Sequence, residues 1–215
     1  MKYVLFDLDG TLTDPAEGIT NSVAYALRRY GIEVSDNSTL NCFIGPPLTD
    51  SFERYFGFSH EDAVDAVEVY REYYRPRGIF ENKVYDGIAC VLSRLKGEGK
   101  KIIMATSKPE IFANQIAEHF GFDCYFDLIA GSTLDGSRVK KQDVIENALE
   151  RFGITDRSEC VMIGDRLHDI EGAKASGLCS IGVLWGYGSR EELEACGADH
   201  ICQRVDELFD MICSI

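Results

Sequence analysis

The most constraining feature of this chain is a short apolar run near its start that ends abruptly in carboxylates. Residues 3 to 6 read Tyr-Val-Leu-Phe, and Asp7, Asp9 and Gly10 follow, with Leu8 between the two acids. A continuous hydrophobic run is typical of a parallel strand that is buried on both faces. Open α/β sheets bind their ligands beyond the carboxyl ends of such strands. We therefore expect Asp7 and Asp9 to lie at a functional site, on one side of the extended chain.

The rest of the chain favours an α/β fold with a parallel sheet, because strand-like and helix-like segments alternate. The predicted strands are residues 2–7, 101–106, 126–131, 160–164, 179–184 and 199–202. The predicted helices of this part are about 87–97, 109–120, 141–152, 168–176, 189–196 and 205–213.

The stretch from Pro15 to about Tyr85 interrupts this alternation, since it contains no convincing strand. Asp14 as an N-cap and Pro15 in the first turn predict a helix start, with apolar residues at helical spacing after it. Three further helices are expected, at 36–41, 48–57 and 60–75. The domains are accordingly an α/β core of residues 1–14 and 81–215 and an all-helical insert of residues 15–80. An insert directly after the strand that carries Asp7 is expected to act as a lid over the carboxylates.

Composition limits the partners and the compartment. The 215 residues carry a net charge of −14, which argues against nucleic acid or an anionic membrane as a partner. An anionic substrate would then need a local cation, either a metal or a placed lysine. The eight cysteines are scattered without a Cys-x-x-Cys pair, which predicts reduced, mostly buried thiols. With no signal peptide and no membrane-length apolar stretch, we expect a cytoplasmic protein.

Polar residues end two further predicted strands. Thr106 and Ser107 precede Pro109, and hydroxyls at a helix N-terminus suit a phosphoryl group, although an ordinary serine N-cap fits as well. Asp165 and Asp169 follow the strand at 160–164. Carboxylate oxygens are ligands that Mg²⁺ prefers, whereas the alternative is a pair of acids favoured by the helix dipole.

A lysine pair precedes the helix predicted at 141–152. Lys140 or Lys141 could neutralise phosphate charge beside the carboxylates, and two solvated lysines are the alternative.

Taken in order, Asp7-Leu8-Asp9-Gly10-Thr11, Thr106, Lys141 and Gly164-Asp165 with Asp169 resemble the four motifs of the haloacid dehalogenase superfamily. The resemblance covers essentially the whole chain. It implies a Rossmann-like parallel core, and the insert resembles the small helical cap (C1 type) of the phosphoglycolate phosphatase and β-phosphoglucomutase branch. The third motif is Lys-Pro in many relatives, whereas here it is Lys140-Lys141, and the spacing favours Lys141.

The resemblance also implies roles for single residues. Asp7 would be the nucleophile that forms an aspartyl-phosphate, and Asp9 would be the general acid and base. Thr106 would hydrogen-bond the phosphoryl oxygens, and Lys141 would hold the nucleophile. The magnesium ligands would be the carboxylates of Asp7 and Asp165 and the backbone carbonyl of Asp9. Asp169 would either complete the metal shell or position Lys141. Candidate phosphate- or substrate-binding residues are Gly10, Thr11, Ser107, Gly45 and Pro46.

Within this superfamily, an acid at the position of Asp9 implies phosphate-ester chemistry, in which the leaving oxygen must be protonated. The prediction is an Mg²⁺-dependent phosphomonoesterase for a small phosphorylated metabolite, similar to phosphoglycolate phosphatase. A 5′-nucleotidase is the alternative, and a β-phosphoglucomutase-like mutase or a pyrophosphatase is a weaker one.

Two other classes fit the sequence less well. A receiver-type signalling domain would lack residues 15–80, and a dinucleotide-binding oxidoreductase would need a Gly-x-Gly-x-x-Gly after a strand.

Gly45 and Pro46 belong to a predicted cap loop that either faces the site or is a plain interhelix turn. Trp185 and Tyr187 belong to a loop that either borders the pocket or packs beneath the cap. The oligomeric state is left open, as monomer or dimer.

Overall fold

Six parallel strands form the central sheet of the computed structural model, which describes residues 1–215. In chain order the strands of the protein are β1 Tyr3–Phe6, β2 Thr13–Asp14, β3 Lys83–Val84, β4 Lys101–Pro109, β5 Leu128–Ser132, β6 Cys160–Gly164, β7 Cys179–Val183 and β8 His200–Cys202. The central sheet has the order β5-β4-β1-β6-β7-β8, and β2 pairs with β3 in a separate two-stranded sheet. The predicted α/β class with a Rossmann-like parallel sheet is confirmed.

Nine α-helices accompany these strands. They are α1 Ala16–Arg29, α2 Leu48–Phe56, α3 His60–Tyr74, α4 Ile88–Gly97, α5 Glu110–Phe120, α6 Lys141–Phe152, α7 Leu167–Ala175, α8 Arg190–Ala195 and α9 Val205–Ser214. Short 3₁₀ helices lie at Asn37–Phe43, Gly78–Phe80, Asp123–Tyr125 and Arg157–Glu159. None of the helices combines the length and the apolar character that crossing a bilayer requires.

Strand β1 lies at the centre of the sheet, between β4 and β6. Its residues Val4, Leu5 and Phe6 are fully buried, as expected for a strand covered on both faces. Phe6 pairs with Met104 of β4 and with Ile163 of β6, so the three strands end close together. The polar residues that follow them are thereby brought to one edge of the sheet.

Strand β4 is irregular at this edge. Thr106 pairs with Gly131 of β5, but the next paired residue is Pro109, opposite Ser132. Ser107 and Lys108 are therefore extra residues in β4, and such irregularities redirect side chains next to active sites. The sequence predicted that β4 would end at residue 106 and that Pro109 would start the helix. Pro109 instead ends the strand, and α5 begins at the following residue.

By its contacts the chain divides into two compact units. The first comprises Met1–Thr13 and Val84–Ile215, and the second is Asp14–Lys83. The second unit holds α1, α2 and α3, and its buried side chains include Phe43 and Phe52, whose ring centroids are 5.0 Å apart.

Three details of the predicted insert were wrong. Asp14 does not cap α1 by its side chain in the standard way: Pro15 is the N-cap, and Asp14 Oδ1 accepts a hydrogen bond from Ala16 N. The segment predicted as a helix at 36–41 is the 3₁₀ helix at Asn37–Phe43. A short strand, β3, lies within the stretch that was expected to have none, since a two-residue strand is too short to produce an alternating pattern.

All eight cysteines are free thiols, but the prediction that most of them are buried was wrong. Cys160 and Cys202 are buried, whereas Cys90, Cys124 and Cys213 are exposed. The exposed cysteines lie on helices or turns, where apolar character alone does not decide which face meets the core.

Candidate active site

Three buried carboxylates meet at the carboxyl edge of the sheet. Asp7 follows β1, Asp165 follows β6, and Asp169 lies in the first turn of α7. Their exposed fractions are 8%, 0% and 1%, and one oxygen of each lies within 4.8 Å of the others. Three acids this close repel one another, so the site needs positive charge to hold them in the ionised form.

Lys141 supplies one such charge. Its Nζ lies 2.7 Å from Asp7 Oδ1 and 2.7 Å from Asp169 Oδ1, and it donates a 3.0 Å hydrogen bond to the carbonyl of Ala105. Burial by itself would lower the pKa of Lys141, but the carboxylates of Asp169 and Asp7 outweigh it, so the pKa lies above its ordinary value. Lys140 is exposed, so of the two candidate lysines Lys141 is the one that reaches the acids.

Asp169 uses both of its oxygens inside the protein. Oδ1 pairs with Lys141, and Oδ2 accepts a 3.0 Å hydrogen bond from Arg166 N at the start of α7. Burial raises the pKa of Asp169 to about 6, although the Lys141 ammonium opposes this shift. A Cβ on Gly164 would lie 2.2 Å from Asp169 Cγ, so a glycine before Asp165 lets this carboxylate approach.

Asp165 is held from two sides. Its Oδ2 accepts a 2.7 Å hydrogen bond from Tyr187 N, and Thr11 Oγ1 donates a longer one of 3.4 Å to Oδ1. Burial, followed by the charges of Asp169 and Asp7, raises its pKa well above the ordinary value. A carboxylate that is costly to ionise in the protein alone is stabilised when a cation binds beside it.

The donor set fits a magnesium ion. Asp7 and Asp165 offer carboxylate oxygens, which are the hard ligands that Mg²⁺ takes in proteins, usually one or two together with waters and phosphate oxygens. Histidine and cysteine are absent from the cluster, which comprises Asp7, Asp165 and Asp169. Because Asp169 is already engaged by Lys141 and Arg166, the first two acids are the better candidates.

Sequence reasoning missed one residue of this site, Lys108. Its Nζ lies 2.6 Å from Asp9 Oδ2, and both side chains are largely excluded from solvent. Burial raises the pKa of Asp9, and the Lys108 ammonium opposes the shift. The other oxygen, Asp9 Oδ1, is buried without a hydrogen-bond partner. The irregularity of β4 directs Lys108 here, and no periodic signal in the sequence reveals it.

The predicted phosphate-binding residues have well-defined surroundings in the first unit. Thr106 is buried, and its hydroxyl accepts a 3.2 Å hydrogen bond from Lys108 N, while Ser107 is half-buried. Gly10 has a φ of +82°, and a Cβ there would lie 2.2 Å from Asp165 Oδ2. Both Gly10 and Thr11 therefore contact Asp165, which the sequence did not indicate.

The predicted cap-loop residues lie in the second unit. Gly45 and Pro46 connect the 3₁₀ helix at Asn37–Phe43 to α2, and Gly45 has a φ of +103°, a backbone conformation that glycine adopts readily. Their part in substrate binding stays a prediction.

Comparison with known proteins identifies the family. Residues 4–183 match the family of haloacid dehalogenase-like hydrolases. The chain belongs to the haloacid dehalogenase-like hydrolases. The predicted superfamily and the predicted enzyme class, a phosphatase of this superfamily, are confirmed.

Individual relatives of this hydrolase carry several names. A 5′-nucleotidase of Pseudomonas aeruginosa is 49% identical over 199 residues, which is 93% of this chain and 90% of the relative. The tyrosine-protein kinase PtkA of Mycobacterium tuberculosis is 41% identical, over 90% of this chain but 65% of the relative. A phosphoglycolate phosphatase of Aquifex aeolicus is 29% identical, over 87% of this chain and 86% of the relative. A solved structure of a predicted phosphatase from Clostridium acetobutylicum is 52% identical with a TM-score of 0.96, covering 99% of this chain and 98% of that one.

Proposed function

We propose that this hydrolase is an Mg²⁺-dependent phosphomonoesterase that works through an aspartyl-phosphate on Asp7. The observation that carries the proposal is the contact of Lys141 Nζ with Asp7 Oδ1 at 2.7 Å. The lysine ammonium lies beside one oxygen of Asp7 and orients the carboxylate, while Oδ2 is the atom proposed to attack phosphorus. Asp169 is proposed to position Lys141 rather than to bind the metal.

In the first step the Asp7 oxygen forms a bond to phosphorus as the bond to the substrate oxygen breaks. Asp9 gives its proton to the departing alkoxide, so the product leaves as an alcohol. In the second step Asp9, now ionised, takes a proton from a water molecule that attacks the phosphorus. This step releases inorganic phosphate and regenerates the Asp7 carboxylate. Lys108 beside Asp9 is proposed to hold that carboxyl in place through both steps.

The proposed metal ligands are the carboxylates of Asp7 and Asp165 together with the backbone carbonyl of Asp9. A bound Mg²⁺ neutralises charge on the phosphoryl oxygens. The protein carries a net charge of −14, so without local positive charge its own field would repel an anionic substrate. Lys141 and Lys108 are the buried cations that this chain itself places among the acids. Thr106 and Ser107 are proposed to donate hydrogen bonds to the phosphoryl group, whereas the Thr11 hydroxyl donates to Asp165.

For the substrate we propose a nucleoside 5′-monophosphate. The support is the 49% identity to a 5′-nucleotidase over nearly the full length of both chains, against 29% for a phosphoglycolate phosphatase. The second candidate is phosphoglycolate, which the sequence alone placed first. Because the two substrates share only the phosphate group, the reacting residues do not distinguish them. The helical unit, with Gly45 and Pro46 in its loop, is the proposed source of the preference.

The test is phosphate release from a panel of 5′-nucleotides, 2-phosphoglycolate, sugar phosphates and pyrophosphate, with and without Mg²⁺. We expect the highest kcat/KM for a 5′-nucleotide, and no activity after chelation until Mg²⁺ is added back. The Asp7→Asn variant should be folded and inactive. Full activity of that variant would refute the nucleophile, and a preference for 2-phosphoglycolate would select the second candidate. Conversion of β-glucose 1-phosphate to the 6-phosphate without phosphate release would indicate a mutase instead.

A further inference from the structure

A loop after β7 approaches the carboxylate of Asp165. This aromatic loop, residues 185–188, reads Trp-Gly-Tyr-Gly and lies between β7 and α8. The backbone N–H of Tyr187 donates a 2.7 Å hydrogen bond to Asp165 Oδ2, although the two residues are 22 positions apart in the chain. A backbone donor has a fixed direction, so the aromatic loop determines where this oxygen lies.

The two glycines of the aromatic loop are required by space. A Cβ on Gly188 would lie 1.9 Å from the backbone oxygen of Asp165. A Cβ on Gly186 would lie 2.4 Å from the Cβ and from Oδ2 of Asp165. Neither glycine has a positive φ, so the close approach is the reason that glycine stands here, not an unusual backbone conformation. Any larger residue would have to move the aromatic loop or Asp165.

Trp185 connects the aromatic loop to the segment that carries the reacting acids. Its indole Nε1 donates a 3.0 Å hydrogen bond to the carbonyl of Thr11. The same segment touches Asp165 directly, through the Thr11 hydroxyl at 3.4 Å and through Gly10, where a Cβ would lie 2.2 Å from the carboxylate. The aromatic loop, the Gly10–Thr11 segment and Asp165 thus form one closed set of contacts.

We infer that the aromatic loop sets the position of Asp165 for metal binding, with Trp185 as a positioning residue that keeps the loop against the Thr11 carbonyl. When a residue that orients a metal ligand without touching the metal is replaced, the affinity of the site for the metal typically falls by about 10- to 100-fold. The inference deepens the proposed function, because it rests on the Mg²⁺ site proposed there. In this interpretation, Trp185 and Tyr187 hold the carboxylate of Asp165 in place. They do not line the border of the substrate pocket, and their role is more than plain packing.

The experiment measures Mg²⁺ binding to the full chain by titration calorimetry, without substrate. Trp185→Phe removes the indole donor and keeps an aromatic ring, and Gly188→Ala introduces the close contact with Asp165. Gly97→Ala is the matched glycine control, since a Cβ at this last residue of α4 meets nothing within 4 Å. Asp165→Asn tests the metal site itself. Circular dichroism and thermal unfolding establish that each variant is folded.

We expect Trp185→Phe to weaken Mg²⁺ binding about 10-fold and Gly188→Ala about 100-fold, with Gly97→Ala unchanged. At saturating Mg²⁺ the Trp185→Phe enzyme should regain its kcat with an unaltered KM for substrate, which a pocket-lining residue would not do. If Gly188→Ala does not fold, Trp185→Phe decides the question. Wild-type affinity in Trp185→Phe, together with lost binding in Asp165→Asn, would overturn the inference and leave the proposed function intact. Unchanged binding in Asp165→Asn would overturn the proposed metal site and the inference with it.

Discussion

Lys108 Nζ lies 2.6 Å from Asp9 Oδ2, and the two side chains expose only 5% and 13% of their surface. A buried carboxyl group beside a buried ammonium is held in one orientation, because either group would lose its buried polar partner if it moved away. Of the two buried lysines at this edge of the sheet, Lys108 is the one that pairs directly with Asp9, whereas Lys141 pairs with Asp7 and Asp169. The proposed acid and base is thus positioned by a residue of β4, the strand that also carries Thr106.

Removing that lysine should slow catalysis. General acid–base catalysis contributes about 10²- to 10⁴-fold, so loss of the orientation of Asp9 in Lys108→Met should lower kcat by about 10- to 100-fold. Steady-state kinetics at saturating Mg²⁺ measure this. Lys101→Met is the control on the same strand, since Lys101 is exposed and pairs at the surface with Asp127. A kcat equal to that of the control would contradict the assigned role of Lys108.

The two neighbouring lysines before α6 should behave very differently. Lys141→Met leaves Asp7 and Asp169 without their shared cation, and breaking a buried pair costs about 3–5 kcal/mol of stability. We expect a lower unfolding temperature and a loss of kcat of at least about 10³-fold, since the proposed nucleophile Asp7 and the phosphoryl group would both lose their positively charged partner. Lys140→Met should resemble the wild type in both assays, because Lys140 is exposed. Equal losses in the two variants would reject the choice of Lys141.

The stability of the metal-free protein should depend on pH through Asp165. Burial and the neighbouring acids raise the pKa of this carboxyl, so its contribution to stability is present at low pH and is lost as the pH rises through its folded-state pKa. The free energy of unfolding of the wild type, relative to Asp165→Asn, should therefore fall as the pH rises from about 4 towards neutrality. Saturating Mg²⁺ should remove this slope, because the cation favours the ionised form. Chemical denaturation over a pH series, with and without Mg²⁺, measures the free energy of unfolding of both proteins. If the stability of the metal-free wild type relative to Asp165→Asn rose with pH, the raised pKa assigned to Asp165 would be contradicted.

The cysteines should fall into two classes of reactivity. Burial raises the pKa of Cys160 and of Cys202 to about 11 in each case, which leaves little thiolate at neutral pH. The exposed Cys90, Cys124 and Cys213 should therefore be alkylated much faster by iodoacetamide in the native protein. Mass spectrometry of partially labelled protein would give the order. Early labelling of Cys160 would show that β6 opens more easily than its burial indicates.

The strand-helix alternation and the positions of the acids were readable from the sequence for a physical reason. Central parallel strands are buried on both faces and form continuous apolar runs, so Asp7 and Asp165 stand out at the ends of theirs. The choice of Lys141 over Lys140 was possible because helical spacing fixes which residue of α6 faces the sheet. The roles of these residues in catalysis stay predictions.

The contacts of Lys108 and of the aromatic loop were not readable. Lys108 reaches Asp9 because β4 contains extra residues opposite β5, and such an irregularity depends on the pairing of two strands that are distant in sequence. The sequence showed a loop with two aromatic residues, but this loop contacts Asp165 through a backbone N–H. Because every residue except proline has a backbone N–H, the residue types do not reveal this hydrogen bond.

By itself, therefore, the sequence determined the fold class, the family and the acids at the edge of the sheet, because periodicity and strand ends are local properties of the chain. The tertiary structure alone decided which groups neutralise and hold those acids. Asp169 is joined to Lys141, Asp9 to Lys108, and Asp165 to Tyr187 N–H, and each of these partners comes from a different element. Contacts of this kind depend on distances between elements, which the order of residues along the chain does not reveal.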